Sequence, residues 1–79
     1  MTQKYVIIET IKAFKNGLFN DLNEMVNEAN IITNEMDNTE INSDLDKPYK
    51  FIKKLSKKQY KSFESVQKNA KKVLNGYYK

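Results

Sequence analysis

The side chains best suited to chemistry in this sequence are carboxylates, because the chain contains no histidine and no cysteine. Glu24 and Glu28 stand four positions apart, which would place both on one face of a helix. Carboxylate metal sites in helix bundles normally add histidine, so we expect no metal at this pair. Four further acids lie close together in the sequence: Asp37, Glu40, Asp44 and Asp46. They lack the spacing and the central glycine of an EF-hand loop, so we expect no calcium site there.

Nucleophilic catalysis finds no support either. Ser56, Ser62 and Ser65 are hydroxyl side chains in the second half, and no histidine is present to activate them. The sequence also lacks a glycine-rich loop that could hold a phosphate group. We therefore predict a protein that is not an enzyme, with no catalytic residue, no cofactor and no metal.

Charge is distributed very unevenly along the chain. Residues 1–46 contain three lysines and nine acids, whereas residues 47–79 contain eleven lysines and one acid, Glu64. All fourteen cationic residues are lysine, and this composition, with its many Asn and Ile residues, is typical of an AT-rich genome. We expect a low-GC bacterium or its phage as the source. The longest apolar run covers residues 5–8 and no leader-like segment is present, so we expect no transmembrane segment and a cytoplasmic location, in the host if phage-encoded.

Apolar residues recur every three or four positions in both halves, which predicts amphipathic helices and an all-α fold class. The stripe in the first half consists of Ile7, Ile11, Phe14, Leu18, Leu22, Met25, Ala29, Ile32 and Met36. The stripe in the second half consists of Ile52, Leu55, Gln59, Phe63, Val66, Ala70, Leu74 and Tyr77. We predict a single helical domain, 1–79, with helices over about 3–37 and 48–75 joined by a polar linker at 38–47.

Two local signals compete with continuous helices. Gly17 could end a helix, which would give a three-helix fold, and Ser56 with Gln59 matches a capping box that would start one. The apolar stripe keeps its phase through both positions, which favours a long antiparallel hairpin of two helices. Asn75 and Gly76 predict the stop of the second helix.

A lone hairpin would bury only one stripe on each helix. Several large apolar side chains beside the stripes would then stay exposed, among them Ile8, Phe19, Val26 and Tyr77. Exposed apolar patches of this kind usually mark an interface. We therefore predict a homo-oligomer, most simply a dimer that forms a helical bundle through these residues.

The second predicted helix carries nine lysines on the side opposite its apolar stripe: Lys50, Lys53, Lys54, Lys57, Lys58, Lys61, Lys68, Lys71 and Lys72. A solvated outer face explains their position, but such a face normally mixes glutamate with lysine. Close lysines repel one another, and a counter-surface would relieve this repulsion. Three counter-surfaces remain open: the acidic flank of the first helix, an acidic protein partner, or a phosphate backbone.

These patterns predict a small non-enzymatic interaction protein, encoded by a phage or mobile element, that binds a partner protein through its helix faces and lysines. The alternative is an electrostatic, sequence-nonspecific nucleic-acid binder, similar in broad plan to the small hairpin-dimer RNA-binding proteins of plasmids. Tyr49, Phe51 and Tyr60 could stack on unpaired bases. The lack of arginine argues against reading of base sequence.

The stretch from Leu55 to Tyr77 also resembles the last helix of pediocin-type immunity proteins, which are lysine-rich helical bundles. The resemblance rests on Leu55-Ser56 at its start and Leu74-Asn75-Gly76-Tyr77 at its end. It implies a further alternative function, immunity to a bacteriocin.

Overall fold

The computed structural model describes residues 2–78 and contains four α-helices and one short 3-10 turn. The elements are α1 (Gln3–Lys15), α2 (Leu22–Met36), the 3-10 turn Ser43–Leu45, α3 (Asp46–Ser56) and α4 (Phe63–Tyr77). Residues 2–78 form no strand, so the all-α fold class is confirmed. The prediction of two continuous helices over 3–37 and 48–75 is wrong, because each divides into two. Within the described range, no helix has the length and apolar character needed to cross a membrane.

The break after α1 is a complete C-terminal cap. Gly17 adopts a left-handed conformation with φ +67°, and its N–H donates to the carbonyl of Phe14 at 3.2 Å. The next N–H, of Leu18, donates to the carbonyl of Ala13 at 3.1 Å. This pair of bonds is the Schellman motif, which satisfies carbonyls at the end of a helix. α2 then begins at the N-cap Asp21, whose Oδ1 accepts from the N–H of Glu24 at 2.9 Å.

The break after α3 repeats the same geometry without a glycine. Lys58 has φ 60°, and its N–H donates to the carbonyl of Leu55 at 2.9 Å while that of Gln59 donates to Lys54 at 3.2 Å. Ser62 is the N-cap of α4, and its Oγ accepts from the N–H of Ser65 at 3.1 Å. The capping box predicted at Ser56 is wrong. Ser56 ends α3, and its hydroxyl donates back to the carbonyl of Lys53 at 2.6 Å.

The two halves of the chain are therefore one helix–turn–helix unit used twice. A shift of 41 residues carries α2, Leu22–Met36, onto the bounds of α4, Phe63–Tyr77, and carries the end of α1 onto the end of α3. The same shift relates the left-handed residues Gly17 and Lys58. Buried positions correspond as well: Ile11 matches Ile52, and Ala29 matches Ala70.

The two units pack crosswise into one four-helix bundle. α1 packs mainly against α4, and α2 packs mainly against α3, so each unit's first helix lies on the other's second. α3 also contacts α4 and α1. The Gln3 side chain ties the start of α1 to the α2–α3 connection, donating to the carbonyl of Glu40 at 2.7 Å and accepting from the N–H of Asn42 at 3.3 Å. All four helices therefore come from a single chain, whereas the predicted bundle took two helices from each of two chains.

The core consists largely of the two predicted stripes. Buried side chains are Ile7, Ile8, Ile11, Phe14, Met25, Val26, Ala29, Ile32, Met36, Leu45, Phe51, Ile52, Leu55, Val66, Ala70 and Leu74. The stripe members that are exposed lie at the two breaks. Leu18 is 72% exposed, and Gln59 is also exposed. Both follow the left-handed residue of their turn, where the chain has left the helix and no longer faces the core.

The α2–α3 connection is anchored by two apolar side chains. Leu45 is fully buried and Ile41 is half-buried. The helix start at residue 48 is two residues late, since α3 begins at Asp46 and holds Pro48 in its first turn. The stop predicted at Asn75 and Gly76 is also wrong. Gly76 keeps a negative φ, and α4 runs through it to Tyr77.

Candidate partner-binding surface

The nine predicted lysines divide into two groups because the second predicted helix is broken. Six lie on α3 or in the turn that follows it, and three lie on α4. Lys50, Lys53 and Lys54 lie on α3, Lys57, Lys58 and Lys61 follow it in the turn, and Lys68, Lys71 and Lys72 lie on α4. All nine are exposed. The lysines of α3 and its turn form the denser group.

Four lysines of this group line one open groove. Lys50, Lys53, Lys54 and Lys57, with Gln59, surround a cavity of about 450 Å³. Their spacing of three, four and seven residues brings them to the same face of α3. Lys53 and Lys54 in the last turn of α3, with Lys57 at its C-cap, are favourable for the helix, because positive charge stabilises the negative end of its dipole. Stabilisation of the helix therefore explains part of this cluster. The open groove gives the same lysines a place where an anion can bind.

Residues 2–78 contain one salt bridge, which joins the Nζ of Lys12 to the carboxylate of Glu9 at 3.1 Å, both on α1. Among the described residues, no carboxylate oxygen lies within 4.0 Å of the Nζ of any of the nine lysines. This holds although α2, which carries most of the acidic flank, packs directly against α3. The acidic flank of the first predicted helix, Asp21, Glu24, Glu28 and Glu35, therefore forms no salt bridge with the nine lysines inside one chain.

Lys58 occupies a backbone conformation that favours glycine. Its φ of 60° lies in the left-handed region, which lysine adopts at a free-energy cost of order 1 kcal/mol. At the equivalent position of the first unit the chain has Gly17. The second unit thus has a lysine where glycine would cost less backbone free energy.

The aromatic residues proposed for base stacking are buried or half-buried. Phe51 is buried, and its ring centroid lies 5.4 Å from that of Tyr60 and 6.2 Å from that of Phe14. Burial raises the pKa of the Tyr60 phenol. Burial also raises the pKa of Tyr49, and the negative charge of Asp37 adds to this shift. Stacking on a base would require Phe51 to leave the core, whereas Tyr49 and Tyr60 are half-buried at its edge.

The residues predicted for self-association find their partners inside the chain. Ile8 and Val26 are 3% and 5% exposed, so both belong to the core. Phe19 is half-buried with its ring centroid 5.1 Å from that of Phe14, and half-buried Tyr77 meets Tyr78 edge-on at the same separation. The expectation that these four side chains are exposed is wrong, because the second hairpin covers the first. The burial of Ile8 and Val26 removes the main ground for the predicted dimer, and the oligomeric state is left to a measurement in solution.

The acidic and hydroxyl candidates have local structural roles. The Glu24 carboxylate accepts from the backbone N–H of Asn20 at 2.9 Å and from the Asn20 side chain at 3.2 Å, so it helps to hold the turn before α2. In the described part of the chain, no three acidic side chains come together as a metal site. Ser62 and Ser56 are engaged at helix ends.

A cluster of aromatic and basic side chains was missed by sequence reasoning. It lies where the start of α1 meets the end of α4. The Lys4 ammonium is 5.9 Å from the ring centroid of Tyr77, and that of Lys12 is 5.7 Å from the ring centroid of Tyr78. The hydrogen bond with Glu9 raises the pKa of Lys12. Only the pairing of α1 with α4 reveals the cluster, because its members stand at opposite ends of the sequence.

Comparison of the chain with protein-family models, with curated proteins and with solved structures finds no significant match in any of the three. The stretch that resembles the last helix of pediocin-type immunity proteins, 55–77, spans the end of α3, the turn and α4. It is therefore not one helix in this protein.

Proposed function

We propose that this protein is a small non-enzymatic interaction module that binds an acidic partner protein through the lysine groove of α3. The observation that carries the proposal is the groove itself: four lysines line one open cavity, and within residues 2–78 none of them forms a salt bridge. Close like charges destabilise a helix by a few tenths of a kcal/mol per pair. An acidic surface docked on the groove would turn this repulsion into attraction.

The conformation of Lys58 supports the same interpretation. A glycine would relax the left-handed backbone at this position, as Gly17 does in the first unit. Retained backbone strain is often found where a side chain serves function. Lys58 is exposed and directly follows Lys57, which lines the groove, so it adds a positive charge close to the groove in the sequence.

An acidic protein is favoured over single-stranded nucleic acid because none of the three nearby aromatic rings is fully exposed, and Tyr49 is the one that lies in a surface pocket with Lys50 and Lys53. Phe51 is buried, and Tyr60 packs against it. Proteins that bind single strands combine positive charge with exposed rings on which bases stack. A rigid helix that presents charge alone suits an equally rigid acidic surface.

The proposal is tested by NMR titration of the ¹⁵N-labelled protein with a short helical peptide rich in glutamate. Shift changes are expected to centre on α3 between Lys50 and Lys57. The variant with Lys50, Lys53, Lys54 and Lys57 all replaced by Gln should bind at least about tenfold more weakly, since each exposed ion pair contributes up to about 1 kcal/mol. A matched control replaces Lys4, Lys15, Lys68 and Lys71 by Gln, which gives the same net charge. Equal weakening in both variants would exclude a specific groove.

Lys58→Gly provides a second test that separates binding from folding. The variant should be more stable than the wild type, because glycine adopts the left-handed conformation without strain. It should nevertheless bind the acidic peptide about twofold more weakly, because one ammonium beside the groove is lost. Unchanged affinity would mean that Lys58 does not contribute to the surface.

Electrostatic binding of nucleic acid is the second candidate, supported by the same unpaired lysines. Fluorescence anisotropy with single-stranded and duplex oligonucleotides, across a salt series, tests it. Binding to duplex that exceeds binding to the acidic peptide at 0.15 M salt, with a steep salt dependence, would replace the first candidate by this one.

Bacteriocin immunity remains a third candidate, supported by the lysine-rich helical bundle that the resemblance implies. Expression of the protein in a bacteriocin-sensitive strain tests it. Unchanged sensitivity to pediocin-type bacteriocins would exclude it.

A further inference from the structure

A second cavity lies on the opposite edge of α3, between the start of that helix and the end of α4. It has a volume of about 280 Å³, just below the range of about 300–1,000 Å³ typical of ligand pockets. Pro48, Val73 and Tyr77 form its apolar wall, Gly76 lies at its side, and Lys47 and Lys72 stand at its edge. The cavity shares no residue with the lysine groove.

Gly76 is not explained by the backbone or by packing. It lies inside α4 with a negative φ, where glycine is less favourable than alanine for a helix. A Cβ built at this position meets no heavy atom within 4 Å, so no neighbour requires the glycine. What the missing side chain does provide is open space beside the cavity.

The equivalent surface of the first unit lacks this chemistry. The shift of 41 residues places Val6 at the position of Lys47, Ile31 at that of Lys72 and Glu35 at that of Gly76. The two ammonium groups and the glycine are thus particular to the second unit and do not follow from the shared helix–turn–helix architecture.

We infer that this cavity binds a medium-chain fatty carboxylate, with its acyl chain against Pro48, Val73 and Tyr77 and its carboxylate between Lys47 and Lys72. Among residues 2–78, neither lysine has a carboxylate within 4.0 Å, so both ammonium groups are available to the ligand. An acyl chain suits an apolar wall because it carries no polar group to leave unsatisfied. A peptide terminus would bring amide groups that the wall gives few partners.

NMR titration with octanoate, below its micelle concentration, tests the inference. The expected shift changes centre on Lys47, Lys72, Val73 and Gly76. Octan-1-ol and acetate should each bind much more weakly, because one lacks the charge and the other lacks the chain. A short peptide ending in leucine is titrated in parallel, because a peptide C-terminus is the other ligand that combines an apolar group with a carboxylate. Tighter binding of that peptide than of octanoate, or octanoate shifts centred on Lys53 and Lys57, would overturn the inference.

Two pairs of variants make the test specific. Gly76→Leu should abolish octanoate binding by filling the cavity without loss of thermal stability, whereas Asn75→Leu on the neighbouring exposed position should bind as the wild type does. The double variant Lys47→Gln/Lys72→Gln should bind octanoate about fivefold more weakly. The control Lys68→Gln/Lys71→Gln, with the same net charge, should lose less than about twofold at 0.15 M salt. Octanoate affinity of Gly76→Leu equal to that of the wild type would refute the site.

Discussion

The side-chain amide of Gln67 on α4 donates a hydrogen bond of 3.3 Å to the carbonyl of Lys15 at the end of α1. The same Nε2 atom would lie 2.8 Å from a Cβ at Gly17. The turn that ends α1 is therefore held from outside by the helix that α1 packs against. Glycine is required at this position by the left-handed backbone, and any side chain there would also displace the amide of Gln67.

Gly17→Ala is expected to lower the free energy of unfolding by about 1–2 kcal/mol. Most of the loss comes from the left-handed backbone at φ +67°, because the flexible end of Gln67 can move aside. Lys58→Gly, at the equivalent turn of the second unit, should raise the free energy of unfolding by about 0.5–1 kcal/mol. Urea denaturation measures both. Changes of the same sign in the two variants would contradict the assignment of the two turns.

Asp21→Ala and Ser62→Ala should each lower the free energy of unfolding by about 1 kcal/mol. Each substitution removes the side-chain oxygen that accepts from the free N–H of the third residue of its helix, Glu24 or Ser65. Ser65→Ala is the control, because it changes a serine inside α4 and leaves the cap intact. A loss for Ser65→Ala as large as that for Ser62→Ala would show that Ser62 is not the cap.

Phe14→Ala should lower the free energy of unfolding by about 3–5 kcal/mol, because the ring is fully buried and contacts the rings of Phe19 and Phe51. Leu18→Ala, four positions along the same predicted stripe, should change it by less than about 0.5 kcal/mol, since Leu18 is 72% exposed. Thermal or urea denaturation distinguishes the two. A large loss of stability for Leu18→Ala would contradict the break and support the continuous helix that the sequence pattern favours.

The protein should lose stability as the pH rises above about 10. Burial raises the pKa of Tyr60 above its ordinary value of 10.0, so the unfolded chain releases this proton at a lower pH than the native chain. Stability due to Tyr60 is therefore complete below pH 10 and is lost between 10 and the raised pKa. Tyr60→Phe should show a shallower alkaline loss than the wild type, with little change at pH 7. Urea denaturation at several alkaline pH values measures the difference, and identical pH profiles would contradict it.

Light scattering should give the mass of a single chain, 9.3 kDa. This differs from the dimer that the sequence pattern predicts, and the reason is that Ile8 and Val26 are already buried by the second hairpin. Measurement over a range of concentrations checks it. A stable mass of two chains would show that another face, such as the one carrying Tyr5 and Tyr78, drives association.

Much of the core was predictable because burial follows helical periodicity. Ile11, Phe14 and Met25 are fully buried as their spacing indicates. The stripe also keeps its phase across both turns, and this continuity concealed the breaks. The usable signals were local: Gly17 for the first turn, and Ser62 rather than Ser56 as the cap after the second. The left-handed Lys58 carries no such signal, because lysine favours ordinary helical conformations.

The lysine cluster was predictable in position but not in environment. A helical wheel places Lys50, Lys53 and Lys57 on one outer face, and all three are exposed. That α2 packs against α3 without pairing its acids to these lysines depends on tertiary contacts. The cavity between Lys47 and Lys72 likewise exists only because α3 and α4 meet there.

The sequence by itself determined that the chain is helical, that most of the two apolar stripes is buried and that the positive charge belongs to the second half. These properties follow from the order of residues along one helix. The tertiary structure decided that two helix–turn–helix units pack crosswise, which side chains cover Ile8 and Val26, and which lysines share a groove or a cavity. Such relations join residues far apart in the chain, and they depend on where each helix ends and how the next one packs against it.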